Sequence, residues 1–201
     1  MDLPIVRDIL VSIAAIIASY VAIKGLDVWR RQLKGTTEFQ LSEQILEKSH
    51  KLQDSLRSAR GPWMPEGELG LREQETKIDK HESSDERSLK NECYALWKRL
   101  DPVSDAVSEL KIIKFKAKAL RGEEAVQEVD ALIKKAFELR TAQNLYCHLK
   151  FHDLKRHPYD EKELFKKYRD IVYWTDKDDK YSEEVENIIL KIEEKFRPYL
   201  K

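Results

Sequence analysis

Between Asp8 and Lys24 the chain reads ILVSIAAIIASYVAI (Ile9–Ile23), the longest window without a charged residue. Those fifteen residues make about 22 Å of helix at about 1.5 Å per residue. That falls short of a hydrocarbon core of about 30 Å. Counted from Leu3 to Ile23 the run reaches about 31 Å, with Arg7 able to snorkel and Asp8 able to pair with it or a neighbour. The window therefore predicts a single-pass membrane helix over residues 3–23. Two other readings compete. A cleaved signal peptide wants a basic leader and a small-residue cleavage site, whereas MDLPIVRD is mixed in charge and no convincing A-x-A precedes a break. A short apolar helix buried in a core is the third reading.

The flanks orient the span. Arg7 precedes it among Asp2 and Asp8, whereas Lys24, Arg30, Arg31 and Lys34 follow it against Asp27 alone. The positive-inside rule then puts the long C-terminal part in the cytoplasm and the N-terminus outside. Arg7, Lys24, Trp29, Arg30, Arg31 and Lys34 are the expected membrane-interface residues, with Trp29 alternatively a packing residue of the next helix. Cys93 and Cys147 stand far apart outside any CxxC pattern. They are expected to be reduced and partly buried, as in cytosolic proteins.

Beyond the window the composition is that of a helical domain. The 201 residues hold 37 Lys+Arg and 37 Asp+Glu, so the net charge is zero, and charged residues make up 37% of the chain, against about a quarter in an average protein. Only 6 Gly and 6 Pro argue against a turn-dense β sandwich or a dinucleotide-binding fold, and the abundant Lys, Glu, Leu and Ala favour helices. Gly35 punctuates the chain after the span, and T-x-x-Q at Thr37–Gln40 reads as a capping box opening a new helix. Leu41, Ile45, Leu52, Leu56 and Ala59 share one face of it, and Gly61-Pro62 ends it. GPWMPEGELG (61–70) is a loop, and residues 72–92 read as a linker or a solvated helix start. Leu89, Cys93, Leu96 and Leu100 resume the periodicity, and Asp101-Pro102 restarts or kinks the helix. Val103, Val107, Leu110, Ile113, Ala117 and Leu120 then carry the face to Gly122. Val129, Leu132, Ile133, Ala136 and Leu139 form the face of a returning helix, so the pair is an antiparallel hairpin. Asp160 would cap a shorter helix, Ile171–Trp174 is a packed connector, 176–180 a solvent loop, and Ser182 caps a last helix with Val185, Ile188, Ile189, Ile192 and Phe196 inward. The expected fold is all-α: a transmembrane anchor and junction (1–34), then an antiparallel cytosolic helical bundle (35–201) with a loop at 61–83.

The junction Trp29-Arg30-Arg31-Gln32-Leu33-Lys34-Gly35-Thr36-Thr37-Glu38 resembles a signature, W-[KR]-R-Q-L-K-G-x-[ST]-E, of uncharacterised bacterial single-pass membrane-anchored helical proteins. Arg60-Gly61-Pro62-Trp63 is similar to the turn that ends their next helix. Ser108-Glu109-Leu110, Leu120-Arg121-Gly122, and the C-terminal Ile192-Glu193 and Arg197–Lys201 look like their later landmarks. The resemblance touches both ends and the middle, and departs most at residues 72–92. It implies a protein tethered to the bacterial inner membrane, with no catalytic residues to carry over.

Two clusters could carry chemistry. His148 and His152 lie one helical turn apart with Asp153 beside them, a spacing able to hold a metal. Yet Leu149 stands where a metalloprotease has its glutamate, and an HD-type phosphohydrolase needs further ligands, for which His50 and His81 are distant candidates. Lys111, Lys114, Lys118 and Arg121 make a stripe that could meet anionic lipid or nucleic acid. However, residues 101–156 hold 11 basic against 9 acidic residues, which suits a solvated, paired face and speaks against nucleic acid. GxxxxGK[ST], GxGxxG and GxSxG are all missing. The leading expectation is a non-enzymatic membrane-tethered module without cofactor that binds a protein partner or itself. The alternatives are a metal- or ligand-binding sensor or hydrolase around His148, His152 and Asp153, and an anionic-lipid or nucleic-acid surface at Lys111–Arg121.

Overall fold

The computed structural model describes residues 3–153, 162–175 and 177–200, and the side chains of residues 3–10, 12, 14, 152, 153 and 162 lie outside the described set. The secondary structure of the described residues is all helical, with no strand among them. Helix α1 (Leu3–Ala59) runs through 57 residues without interruption, about 85 Å at the usual rise. The expected break at Gly35 is absent. Thr36 and Thr37 donate their hydroxyls back to the carbonyls of Gln32 and Leu33, so Thr37 sits inside a helical turn instead of capping a new one.

The rest of the chain folds onto the C-terminal third of α1. After the turn at Arg60 come two single-turn helices, α2 (Glu66–Leu69) and α3 (Leu71–Glu75). Helix α4 (Ser84–Lys98) starts where the Ser83 side chain accepts from the Glu86 amide. This resolves the polar 72–92 stretch into a short helix, a turn and a capped helix start. Helix α5 (Asp101–Arg121) has its proline in the first turn, with Leu100 rather than Asp101 in the cap position, and ends at Gly122, whose φ of 84° favours glycine. A 3-10 turn (Glu123–Val126) leads into α6 (Gln127–Asp153). Then follow α7 (Lys162–Val172) and α8 (Lys180–Phe196). The expected Asp160 cap lies outside the described residues. Helix α8 is capped by Asp179, which accepts from the Ser182 amide, so Ser182 is in the first turn and not the cap.

Ion pairs give the topology. Lys51 of α1 meets Glu109 of α5, while Arg121 at the far end of α5 reaches Ser42, so the two helices are antiparallel. Lys114–Asp130 sets α6 antiparallel to α5. Lys195–Glu128 and Lys135–Glu184 set α8 antiparallel to α6, and Arg60–Asp179 returns α8 to α1. The result is an up-down-up-down bundle of α1, α5, α6 and α8. Its core holds the expected faces of all four helices: Leu41, Ile45, Leu52, Leu56 and Ala59 of α1, Leu110 of α5, Leu132 and Leu139 of α6, and Ile192 and Phe196 of α8. Leu120, expected on the inward face, is exposed.

A second, smaller core sits at the end of the bundle remote from the N-terminus of α1. Leu89, Cys93 and Leu96 of α4 pack on Ala142, Tyr146 and Cys147 of α6 and Val172 of α7. The two cysteines are not reduced as expected: Cys93 and Cys147 form a disulfide, Cα to Cα 5.8 Å, that ties α4 to α6. Their positions on inward faces of two helices brought together by the fold make the pairing possible, and neither sequence neighbourhood foreshadows it.

From residue 11 to residue 37 the described side chains of α1 are all exposed. Val11, Ile13, Ile16, Ile17, Tyr20, Val21, Ile23, Leu26, Trp29 and Leu33 are all exposed, so Trp29 is not a packing residue of the bundle. Among the described residues no helix is long and apolar enough to cross a membrane. The window expected to do so, residues 3–23, falls partly on side chains outside that set.

Candidate functional site

The densest polar construction in the chain surrounds Arg60. It follows Leu56 by one helical turn and so continues the buried face of α1, which leaves the residue 1% exposed. Its Nε donates to the carbonyl of Ile171 at 2.7 Å. One terminal nitrogen donates to Ser182 Oγ and Asp179 Oδ2. The other donates to the carbonyls of Asp170 and Tyr173 and to Asp179 Oδ1 at 2.8 Å. The guanidinium plane lies over the Tyr181 ring, 4.4 Å from its centroid. Every donor is occupied, so the charge is neutralised and solvated by protein. Burial alone would raise the Asp179 carboxyl, but hydrogen bonds from Arg60 and Ser182 outweigh it and hold that carboxyl below its ordinary value. Burial pushes the Tyr181 phenol upward. The sequence places Asp179 in a solvent loop; in the structure it caps α8 and ties that helix to α1.

Beside this cluster opens a cavity of about 340 Å³. Gln53, Asp54 and Arg57 of α1 form one wall, Trp174 and Thr175 the rim, and Glu186 of α8 the other wall. Among the described residues, Asp54, Arg57 and Glu186 make no ion pair, so charges of both signs face the opening. The cavity could take a small polar molecule, but Arg60 is too fully engaged to act as its receptor group.

A second polar group flanks the disulfide. Lys150 donates to both carboxylate oxygens of Glu92 at 2.6 Å, and the Tyr173 hydroxyl donates to Glu92 at 3.1 Å. Desolvation would lower the Lys150 ammonium, yet hydrogen bonds to Glu92 and Tyr146 raise it, while burial drives the Tyr173 phenol well above its usual value. Nearby, Glu82 accepts from Arg72 and Lys90, which together hold its carboxyl at about 2. These pairs tie α3 to α4 and α4 to α6. None of them forms a nucleophile–base arrangement.

The sequence-derived site residues are scattered. His148 is exposed on α6, and the side chains of His152 and Asp153 lie outside the described residues. His50 instead meets Glu193 at 3.0 Å. Among the described residues no three His, Cys, Asp or Glu side chains gather to hold a metal. The basic stripe is largely spoken for: Lys114 pairs with Asp130, Lys118 with Glu123, and Arg121 bonds to Glu38 and Ser42 while stacking on Tyr199, leaving Lys111 over the Phe137 ring. At the junction Lys24 lies over Tyr20 and Lys34 reaches Glu38, while Trp29, Arg30 and Arg31 are exposed; the Arg7 side chain lies outside the described residues. Arg60 and the disulfide are what sequence reasoning missed. For Arg60 a signal existed, since it extends the 52–56 spacing of the buried face.

In comparison with known proteins, no family model, no curated protein and no solved structure matches the chain.

Proposed function

We propose that this protein is a membrane-tethered, non-enzymatic helical module that associates with a protein partner or with itself. One observation carries the reading. The N-terminal stretch of α1 leaves the bundle as a bare helix whose described side chains from Val11 to Ile23 are exposed and without charge. Large apolar side chains in such a row cost free energy in water and gain it in hydrocarbon. The exposed segment 24–40 then acts as a rigid spacer that sets the bundle about 27 Å beyond the apolar run, counted from Ile23 to Leu41. A tether of this kind confines the bundle near membrane partners and raises its effective concentration there.

Orientation follows from Lys24, Arg30, Arg31 and Lys34, which support a bundle on the cytoplasmic face of a bacterial inner membrane. The junction's resemblance to membrane-anchored bacterial proteins supports the same address. Fractionation tests the tether: the full chain should stay in the membrane pellet through alkaline carbonate and enter solution only with detergent. Release by carbonate refutes the anchor.

A further inference from the structure

We propose that residues 15–40 of α1 form a parallel, in-register dimer with a second copy of this chain. The proposal deepens the self-association half of the reading above, and rests on two patterns that fall on one arc of the helix.

The first pattern is size. Turning about 100° per residue, Ala15, Ala18, Ser19 and Ala22 all project within one arc of about 100°. Ile16, Ile17, Tyr20, Val21 and Ile23, every large side chain from Ala15 to Ile23, project outside it. In a bilayer, hydrocarbon surrounds all faces alike, so hydrophobicity gives no reason to sort large from small. Close approach of a second helix does: small residues let backbones meet, while large ones face lipid.

The second pattern is charge. The same arc continues beyond Ile23 through Leu26, Trp29 and Leu33, which are 47%, 57% and 54% exposed. Ala15, Ser19, Ala22, Leu26, Trp29, Leu33 and Thr36 are spaced 4, 3, 4, 3, 4 and 3, the alternation of a two-stranded seam. Lys24, Asp27, Arg31, Lys34 and Glu38 lie on the opposite side, and only Arg30 borders the seam. Two such helices therefore meet without bringing like charges together.

The chain's own bundle does not cover this seam. Leu41, Ile45, Leu52 and Leu56, the face that α1 gives to the bundle, lie on average about 100° around the helix from Leu26 and Leu33. Past Gln40 the seam's direction is taken by Gln44, Glu47 and Lys51, so it closes where the bundle begins. The contact spans about 37 Å of helix, between three and four heptads, the length at which a seam sustains pairing. The Ser19 and Thr36 hydroxyls bond to the carbonyls of Ala15 and Gln32, so neither brings an unsatisfied donor to the seam.

The test uses the full chain in membranes and in mild detergent, with single cysteines introduced at exposed positions and the native Cys93–Cys147 pair left in place. Leu26→Cys and Leu33→Cys should give covalent dimers on mild oxidation about tenfold faster than Arg31→Cys and Lys34→Cys, which share the turns but not the seam. Equal rates at all four positions, or no dimer at any, overturn the proposal. Light scattering of the detergent-solubilised chain should give a dimer that Leu26→Arg with Leu33→Arg converts to monomer; a wild-type monomer also overturns it. Carbonate extraction reads the tether separately: a chain that washes off the membrane yet cross-links at the seam defeats the anchor and keeps the dimer.

Discussion

Removing the Cys93–Cys147 bridge should cost the chain about 4 kcal/mol. The bridge closes a loop of 54 residues. In the chain-entropy treatment, a loop of that length removes about 14 cal/mol/K from the unfolded ensemble, hence about 4 kcal/mol at 25 °C. The affected region is well defined. Cys93 and Cys147 are buried in the small core that joins α4 to α6 and α7, while the cores of α1, α5 and α8 lie in a separate cluster. Guanidinium unfolding of the full chain in mild detergent, followed by far-ultraviolet circular dichroism, should show the Cys93→Ala, Cys147→Ala variant losing about that stability relative to the oxidised wild type. Amide exchange should quicken first in α4 and in the C-terminal half of α6, and last around Ile45, Leu110 and Ile192. A loss below about 1 kcal/mol, or uniform acceleration across the bundle, would refute the assignment of the bridge as the clamp on α4.

Three further outcomes follow from the polar clusters. Arg60→Leu should destabilise the chain by about 3–5 kcal/mol, because Asp179 and the carbonyls of residues 170, 171 and 173 lose their shared donor inside the protein; a denaturation midpoint close to wild type would show that the cluster tolerates its loss. Glu82 titrates at about 2 when folded and in the usual carboxylate range when unfolded. Its contribution is therefore complete above that range and is lost as pH falls toward 2, so acid titration should loosen α3 from α4 and Glu82→Gln should flatten that limb. Tyr173 and Tyr181, both held upward by burial, keep their protons in the folded state after the unfolded chain begins to lose them near pH 10. Stability should thus decline above that pH, and Tyr173→Phe should blunt the decline measured by melting temperature.

Helix faces were readable in the sequence because periodicity reports burial directly: Leu52, Leu56 and Ala59, or Val185, Ile189 and Ile192, can share a side only in a helix. Gly122 was readable because its backbone conformation favours glycine. What escaped depended on partners far away in sequence. Asp179 looks like one more charge in a polar loop until Arg60, 119 residues earlier, is folded against it. The cysteines look unrelated until α4 crosses α6. Gly35 misled for the opposite reason. A glycine followed by threonines is a local breaking signal, but one glycine costs an exposed helix only about 1 kcal/mol relative to alanine, and Thr36 and Thr37 satisfy their hydroxyls within the helix.

The disulfide and the charged flank pull the topology in opposite directions. Four basic residues after the apolar run favour a cytoplasmic bundle, whereas stable disulfides belong mainly to oxidising compartments. The two act at different times. On the proposed membrane-tethered reading, flanking charge acts during insertion, before α4 and α6 have met, and so would set the side on which the bundle folds. The cysteines come together only afterwards. At 1% and 2% exposure they fit that core as a bridge or as two packed thiols, since a buried thiol behaves as a small hydrophobe. On that proposed reading the flank sets the topology, and the compartment then sets the state of the pair. In cells quenched with acid and alkylated under denaturing conditions, Cys93 and Cys147 should both take up maleimide, and the bridge should close when the purified chain is oxidised. A pair already closed in freshly quenched cells would put the bundle on the oxidising face and overturn the orientation drawn from Lys24, Arg30, Arg31 and Lys34.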